Sequence, residues 1–271
     1  MNRLETRLAA TRSAQRKALV TFITAGDPHP AVTVGALHAL VSGGADVLEL
    51  GIPFSDPEAE GPVIQLASER GLASGTTLRT CLNLVRDFRQ TDSTTPIVLM
   101  GYLNSVLAMG PSRFAAEAAA AGVDGLIMVN LPPEEAGELK TALDDASISL
   151  ILLISPTTTE ARARRILQDA GGFVYYVSLK GITGSGNLDP EAAGTRLRWL
   201  RTLTDLPVMC GFGIKDGPSA QAMAVHADGV VVGSALVATV AELGASPDEI
   251  PGRLSAQVGL IRRALDEPAA G

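Results

Sequence analysis

The chain has 271 residues, of which 46% are hydrophobic, 19% charged and 4% aromatic, with 28 glycines and 16 prolines. This composition excludes a disordered chain and is ample for a large hydrophobic core. The net charge of −7 argues against nucleic acid as the main partner, because phosphate backbones attract basic surfaces. The length suits one α/β barrel, which typically needs roughly 250 residues, and we predict a single domain over residues 1–271.

Targeting signals and cysteine usage also restrict the class of protein. Residues 1–16 are charged and lack the apolar centre of a secretory signal. No uncharged apolar stretch reaches the ~18 residues that a membrane-spanning helix needs. Cys81 and Cys210 lie far apart in apolar surroundings, with neither disulfide nor metal-ligand spacing. We expect a soluble, cytoplasmic protein with two buried free thiols and no membrane partner.

Eight short apolar runs alternate with alanine-rich helical patterns. Most runs are continuously apolar, as in parallel strands covered by helices. The predicted strands are 19–24, 46–50, 96–102, 125–129, 148–154, 173–178, 206–211 and 229–233. The predicted helices are 31–41, 63–72, 77–89, 113–121, 134–143, 160–170, 190–203, 218–225 and 247–265. Eight β/α units predict a TIM barrel with extra helices between its second and third strands, and a doubly wound open sheet is the alternative.

Two long loops follow predicted strands, and such loops lie on the catalytic face of a barrel. The proline-rich loop 51–62 follows the second strand, and loop 179–187, with three glycines, follows the sixth. The glycines of loop 179–187 are typical of a mobile lid.

Glu49 is a lone carboxylate near the end of an apolar strand, where burial is costly unless the group is paired or functional. Desolvation would raise its pKa and suit it to proton transfer near neutral pH. We interpret Glu49 as catalytic, and the alternative is a structural carboxylate bonded to loop amides.

Several further groups could complete the site. Asp56, Glu58 and Glu60 follow in the next loop, and one of them could pair with Glu49, although Glu58 reads as a solvated charge. Tyr175 and Tyr176 are adjacent on one strand, so one of the two can face the interior, and the sequence does not choose between them.

The last two strands are followed by glycine-containing turns, 211–214 and 233–236. Glycine lets backbone N–H groups approach an anion, and a helix N-terminus adds positive potential. Loops after strands seven and eight recurrently bind phosphate in barrels, which predicts a phosphate site, with ordinary tight turns as the alternative. The three histidines show no metal-ligand spacing, and we predict neither a metal site nor a cofactor.

Specific motifs run along almost the whole chain: FITAGDP at 22–28, ELGIPFSDP at 49–57, GPVIQ at 61–65, GYLN at 101–104, GVDGLI at 122–127, LPPEEA at 131–136, YYVSLKGITG at 175–184, GFGI at 211–214 and DGVVVGSA at 228–235. Together they resemble the α subunit of tryptophan synthase. The resemblance implies a lyase that cleaves indole-3-glycerol phosphate to indole and glyceraldehyde 3-phosphate.

The resemblance also implies roles for individual residues. Glu49 would protonate indole C3 and then accept the glycerol hydroxyl proton, Glu60 would stabilise charge at the indole nitrogen, and Tyr175 would position Glu49. The residues expected to hold the indole ring are Phe22, Ile64, Met100, Ile127 and Phe212, with Thr183 in the closing loop. The residues expected to bind phosphate are Gly184, Gly213, Gly233 and Ser234. A β subunit would contact loops 53–60 and 129–135.

Two stretches depart from the family's usual pattern: Glu58-Ala59-Glu60 stands where it has leucine, alanine and aspartate, and Val129-Asn130 where it has proline or alanine followed by aspartate. Glu60 stands where the family usually has aspartate, and Asn130 stands where it also usually has aspartate. An added methylene at position 60 shifts the carboxylate by about one bond length, a displacement that can change a rate on the order of a hundredfold. The alternatives to a conventional α subunit are a stand-alone indole-releasing lyase and a catalytically weak relative that regulates a partner.

Overall fold

The computed structural model describes residues 2–177, 190–211 and 213–267. Eight parallel strands close into a barrel in chain order, which confirms the predicted TIM barrel and excludes the open sheet. The strands are β1 (Ala18–Thr24), β2 (Val47–Gly51), β3 (Ile97–Gly101), β4 (Gly125–Met128), β5 (Ser149–Ile154), β6 (Val174–Tyr176), β7 (Val208–Cys210) and β8 (Gly229–Val232). Each predicted strand is confirmed, with ends that shift by one or two residues.

Helices surround the barrel. They are α1 (Arg3–Ser13), α2 (Pro30–Ser42), α3 (Pro62–Ala73), α4 (Leu78–Arg89), α5 (Leu103–Met109), α6 (Pro111–Ala121), α7 (Gly137–Asp145), α8 (Glu160–Asp169), α9 (Pro190–Arg201), α10 (Gly217–Ala224), α11 (Ser234–Glu242) and α12 (Ile250–Asp266). Three of these, α1, α5 and α11, were not predicted. Helix α1 had a sequence signal, because Asn2 and Glu5 form a capping box at its start.

The core has two layers, and this explains why the strands are apolar on both faces. Alternate strand residues fill the barrel interior, among them Val20, Val47 and Val98, while Leu19 and Leu48 pack outward against the helices. Helix α1 closes the amino-terminal end, where Leu4 joins the interior cluster. Both cysteines are buried, as predicted, and they are not joined in a disulfide. Over the described ranges, no helix is long and apolar enough to cross a membrane.

The strands are joined at the amino-terminal end by a repeated aspartate arrangement, in which an aspartate precedes β2, β4 and β8. Asp46 accepts from the Leu19 N–H at 3.0 Å and donates its own N–H to the Leu19 carbonyl at 2.8 Å. Asp124 and Asp228 make the same two bonds to Ile97 and Val208. Each aspartate therefore binds both the backbone N–H and the backbone carbonyl of one residue in the preceding strand. We call this arrangement the aspartate clamp.

The aspartate clamps at Asp124 and Asp228 differ in how deeply the paired arginine is buried. Asp124 contacts Arg89 at 2.8 Å, and that arginine side chain is 10% exposed. Asp228 contacts Arg201 at 3.2 Å, and that arginine is 44% exposed. Removing one partner of a buried pair leaves an uncompensated charge, whereas an exposed cation is solvated by water.

We therefore expect Asp124→Ala to lower the free energy of unfolding by about 3 kcal/mol. The matched control, Asp228→Ala, loses the same backbone bond but should cost only about 1 kcal/mol. Urea denaturation monitored by circular dichroism measures both values. Equal losses in the two variants would show that burial of the arginine partner does not set the cost.

Candidate active site

Strand β2 directs the Glu49 side chain into the barrel. Glu49 lies opposite Phe22 on β1 and Val98 on β3 in the strand register. The residue is 1% exposed, and neither carboxylate oxygen has a hydrogen-bond partner in the portion of the chain that the structure describes. Among the described residues, no loop amide binds the Glu49 carboxylate as the alternative of a structural carboxylate would require.

The surroundings of Glu49 change its acidity. Burial raises the pKa of Glu49 from 4.5 to about 8, and the nearby negative charge of Glu60 adds to the shift. The charged form loses hydration and gains no hydrogen bond from the described residues, so the neutral acid is favoured. Glu49 is therefore protonated at neutral pH and can donate a proton.

The loop after β2 is bound by Tyr102, the residue that lies between the end of β3 and the start of α5. The Tyr102 hydroxyl donates to Glu60 Oε2 at 2.5 Å and accepts from the backbone N–H groups of Glu58 at 2.7 Å and Ala59 at 3.0 Å. The Tyr102 ring stacks on Phe54 at 4.8 Å between centroids. We call this set of contacts the Tyr102 brace. The brace holds the Glu60 carboxylate in one place.

The structure resolves two choices that the sequence left open. Of the three loop acids, Asp56 and Glu58 are exposed, whereas Glu60 is half-buried and close enough to Glu49 to raise its pKa. Of the two tyrosines, Tyr175 lies in the barrel interior and Tyr176 packs outward.

Tyr175 reaches the interior beside Glu49. Burial raises the pKa of Tyr175 well above its usual range, and the negative charge of Glu49 adds to the shift. A Cβ at Gly211 would lie 2.4 Å from the Tyr175 hydroxyl, so this position requires glycine. The residue of this turn that the sequence predicts for phosphate binding is Gly213, whereas the packing constraint falls on the other glycine, Gly211.

A narrow cleft with a cavity volume of about 10 Å³ lies at the carboxyl-terminal end of β1 to β3, and neither Glu49 nor Tyr175 belongs to its lining. It is lined by the predicted residues Phe22, Glu60, Ile64 and Met100. Strand β2 leaves room for the Phe22 ring, because a Cβ at Gly51 would lie 2.6 Å from Phe22 Cζ.

Other predicted residues lie elsewhere. Ile127 is fully buried in the barrel interior and does not line the cleft. Gly233 and Ser234 form the start of α11, and Gly233 borders Phe22, since its Cβ position is 3.4 Å from Phe22 Cβ. Gly213 is exposed and adopts φ +69°, a conformation that favours glycine. Thr183, Gly184 and Phe212 lie outside the described residues.

Sequence reasoning missed several cleft residues. Thr24, Phe54, Ser68 and Tyr102 all line the cleft. For Tyr102 the signal was its position inside the GYLN motif after β3, but the partner groups come from another loop. Asn130 has a local function, since its Oδ1 accepts the Leu103 N–H at 2.8 Å at the start of α5.

A larger cleft of about 320 Å³ lies at the opposite end of the barrel, beside Lys17 and Arg201. The cations there are already bound by the protein: Lys17 donates to the Ala227 carbonyl at 2.7 Å, and Arg201 pairs with Asp228. Since barrel active sites lie at the carboxyl-terminal end, the smaller cleft is the candidate active site. Within the described parts of the chain, no group of three or more His, Cys, Asp or Glu residues could hold a metal ion.

The fold and the site together define a (β/α)8-barrel enzyme with a buried carboxyl group suited to acid/base catalysis. A family model described as tryptophan synthase alpha chain matches residues 8–265. The chain belongs to the tryptophan synthase alpha chain family, whose members are lyases that cleave indole-3-glycerol phosphate.

Individual relatives are similar over their full lengths. The tryptophan synthase alpha chain of Alkalilimnicola ehrlichii is 54% identical over 98% of this chain and 97% of its own length. The tryptophan synthase alpha chain of Halorhodospira halophila is 52% identical over 100% of this chain and 99% of its own length. The crystal structure of tryptophan synthase subunit alpha from Legionella pneumophila superposes with a TM-score of 0.92, at 44% identity over 98% and 99% of the two chains. A chain of the tryptophan synthase complex from Pyrococcus furiosus superposes with a TM-score of 0.82. It is 37% identical over 91% of this chain and 98% of its own length.

The raised pKa of Glu49 predicts a pH-dependent stability difference for Glu49→Gln. Between about pH 4.5 and pH 8 the folded parent keeps a proton that the unfolded chain releases, so the contribution of this group to stability falls as the pH rises through that window. Glutamine does not titrate. The melting temperature of Glu49→Gln minus that of the parent should therefore be higher at pH 8.5 than at pH 5.5. Differential scanning calorimetry at both pH values measures the difference. If the difference in melting temperature between the variant and the parent does not change with pH, Glu49 ionises near its usual pKa.

Proposed function

We propose that this chain is the alpha subunit of a tryptophan synthase and that Glu49 is the acid/base group with which it cleaves indole-3-glycerol phosphate to indole and glyceraldehyde 3-phosphate. The observation that supports this assignment most directly is the buried Glu49 carboxyl group, which is unpartnered within the described chain and has a pKa raised to about 8.

The reaction uses Glu49 in both protonation states. Protonated Glu49 donates to C3 of the indole ring, which leaves positive charge on the ring nitrogen. The Glu49 carboxylate then removes the proton of the adjacent glycerol hydroxyl. As the carbonyl forms, the carbon–carbon bond breaks, its electron pair returns to the ring, and Glu49 is again protonated. A group whose pKa is close to the working pH can serve in both steps.

Glu60 is the second carboxylate of the proposed mechanism. Its negative charge stabilises the positive charge that develops at the indole nitrogen, an effect that is strongest in the transition state. The Tyr102 brace supports this role, because it holds the carboxylate before the substrate binds. Tyr175 packs beside Glu49 and is the proposed positioning residue for it.

The phosphate end of the site is proposed from the resemblance, with Gly213, Gly233 and Ser234 as its described members. The start of α11 supports this, since backbone N–H groups in a first helical turn lack intrahelical partners. The resemblance implies that Gly184 belongs to the same site, Phe212 to the residues that hold the ring, and Thr183 to the closing loop.

A β subunit is the proposed protein partner, through loops 53–60 and 129–135. The Pyrococcus furiosus relative is part of a tryptophan synthase complex. In this chain the two loops meet the same segment, since Tyr102 binds Glu58 and the next residue, Leu103, binds Asn130. We place the enzyme in the cytoplasm.

Indole release from indole-3-glycerol phosphate, with and without an added β subunit, tests the function. The alpha subunit assignment predicts release that increases when the β subunit is added. Release that the β subunit does not change would favour a stand-alone lyase. Absence of release in both conditions would favour a regulatory relative without catalysis.

Glu49→Gln should abolish indole formation, because the carboxamide can neither donate nor accept the required proton. Binding of glycerol 3-phosphate, measured by calorimetry, should stay at the parental affinity and serve as the control for folding. Turnover within tenfold of the parent would remove Glu49 from the mechanism. In the parent, kcat/KM should fall above about pH 8 as Glu49 ionises.

Glu60→Gln should lower kcat by roughly ten- to a thousandfold with a smaller effect on KM, because the charge acts mainly in the transition state. Glu60→Asp should also lower kcat, since the shorter side chain moves the carboxylate away from the Tyr102 hydroxyl that now binds it at 2.5 Å. Glu69→Gln, which removes an exposed charge on α3, is the control and should have parental kinetics. Parental kcat in Glu60→Gln would remove the Glu60 charge from the mechanism.

A further inference from the structure

The cleft of about 320 Å³ at the amino-terminal ends of β1, β7 and β8 has no part in the proposed mechanism. Its volume is within the range of small-molecule binding sites. The charged residues of its described lining are the cations Arg12, Arg16, Lys17 and Arg201 and the carboxylate of Asp228. We call this site the amino-terminal cleft. Its excess of positive charge is notable in a chain whose net charge is −7.

Ion pairs neutralise part of this positive charge. Arg16 lies 3.7 Å from Asp46 and 3.5 Å from Asp266, and the same two aspartates also pair with Arg262. At this edge of the cleft, two acids therefore balance two arginines, and no positive charge is left over there.

The other cations of the amino-terminal cleft are not balanced in this way. Arg201 pairs with Asp228 at 3.2 Å, which accounts for the carboxylate of the described lining. Arg12 and Lys17 donate to backbone carbonyls at 3.2 Å and 2.7 Å, and within the described ranges neither forms an ion pair. A carbonyl oxygen carries only a partial negative charge, so the charges of Arg12 and Lys17 have no countercharge.

The Lys17 amine shows that this arrangement has an energetic cost. Burial lowers the pKa of Lys17, the carboxylate of Asp228 opposes this, and the positive charge of Arg201 lowers the pKa further. The net effect is a lowered pKa, so the charged amine is less stable in the cleft than in water. An anion bound beside Lys17 would offset this cost.

Apolar side chains line the inner part of the amino-terminal cleft. Leu8 on α1 and Met209 on β7 are buried and belong to the cluster that fills the barrel interior. Ala18 and Pro207 extend this apolar lining. A ligand that matches the cleft therefore combines negative charge with an apolar body.

We propose that the amino-terminal cleft binds a phosphate monoester with an apolar body, with the phosphate at Arg12 and Lys17 and the body against Leu8 and Met209. A phosphate monoester carries about two negative charges at pH 7, which matches the two cations without countercharge. The guanidinium of Arg12 offers paired N–H groups to phosphate oxygens, and the Lys17 amine offers a compact charge.

This site is separate from the active site and does not depend on the proposed function. Strand β1 runs from Ala18, in the lining of the amino-terminal cleft, to Thr24, in the lining of the active-site cleft. Its seven residues place the two clefts roughly 20 Å apart. A phosphate monoester in the amino-terminal cleft therefore does not compete with the phosphate group of the substrate.

Nuclear magnetic resonance of isotope-labelled methionine methyl groups distinguishes the two sites, because Met209 lines the amino-terminal cleft and Met100 lines the active-site cleft. The probes are phenyl phosphate, benzenesulfonate and inorganic phosphate. Phenyl phosphate should shift the Met209 signal in a saturable way. Benzenesulfonate has the same ring with a single negative charge and should bind at least about fivefold more weakly. Inorganic phosphate lacks the ring and should also bind more weakly than phenyl phosphate.

Substitutions of the charged residues test the assignment of the phosphate contacts. Arg12→Gln and Lys17→Gln should each weaken phenyl phosphate binding at Met209 about tenfold, because each removes a charge-assisted contact. Asp228→Asn should strengthen binding about fivefold, because it removes the carboxylate of the described lining. The asparagine keeps an oxygen that can accept the Val208 N–H.

Arg253→Gln is the matched control, because it removes an exposed arginine of α12 that does not line the amino-terminal cleft. It changes the net charge of the chain by the same amount as Arg12→Gln and should bind phenyl phosphate with parental affinity. Thermal unfolding followed by circular dichroism checks that each variant is folded. If Lys17→Gln does not fold, Arg12→Gln and Asp228→Asn still test the proposal in opposite directions.

Several results would overturn this inference. They are a Met209 signal that phenyl phosphate does not shift, parental affinity in Arg12→Gln, weaker binding in Asp228→Asn, and equal affinity for benzenesulfonate and phenyl phosphate. A shift confined to Met100 would place the only phosphate site in the active-site cleft and would also overturn it. None of these results bears on indole release, which tests the proposed function separately.

Discussion

The burial of the Glu49 carboxyl group inside a closed parallel barrel is the constraint on which the site depends. Closure lets the strands satisfy one another's backbone groups, and the interior is then filled by apolar side chains such as Val47 and Val98. A carboxyl group placed above that filling has little access to water and no hydrogen-bond partner within the described chain. The cost of ionising it becomes a raised pKa, which is the property that proton transfer at neutral pH requires.

The second carboxylate is controlled in a different way. Glu60 lies on a loop, and a loop residue is positioned only as well as its contacts allow. Here the Tyr102 hydroxyl binds the Glu60 carboxylate and two backbone N–H groups of the same loop. The longer side chain at position 60 is therefore part of a set of contacts that includes Tyr102, and the departure from the family's usual aspartate is accommodated in the pocket.

The two ends of the barrel divide stability and chemistry between them. At the amino-terminal end, Asp46, Asp124 and Asp228 are bonded to neighbouring strands and paired with arginines. At the carboxyl-terminal end, the oxygens of Glu49 and Thr24 are buried without partners in the described residues. Unsatisfied buried groups reduce stability, and at this end of the barrel they include the carboxyl group proposed for catalysis.

The sequence by itself determined the barrel and its eight strands, and it singled out Glu49 as the candidate acid/base residue. Continuous apolar runs are diagnostic of strands covered on both sides, and a single acid within such a run stands out without knowledge of its neighbours. The sequence also contains a local signal for α1, because Asn2 and Glu5 have the spacing of a capping box at its start. The short helices α5 and α11 gave no comparable signal, since neither has a side-chain cap.

Only the tertiary structure decided which of the loop acids faces Glu49, which tyrosine enters the barrel and which hydroxyls remain unpartnered. Each of these depends on groups far apart in the chain: Glu60 on Tyr102, Tyr175 on Gly211, and Thr24 on the lining of a cleft formed by three strands and a loop. Residue type and spacing specify local periodicity. Hydrogen-bond satisfaction and burial are set by how distant segments pack together, and that packing becomes visible only once the barrel has closed.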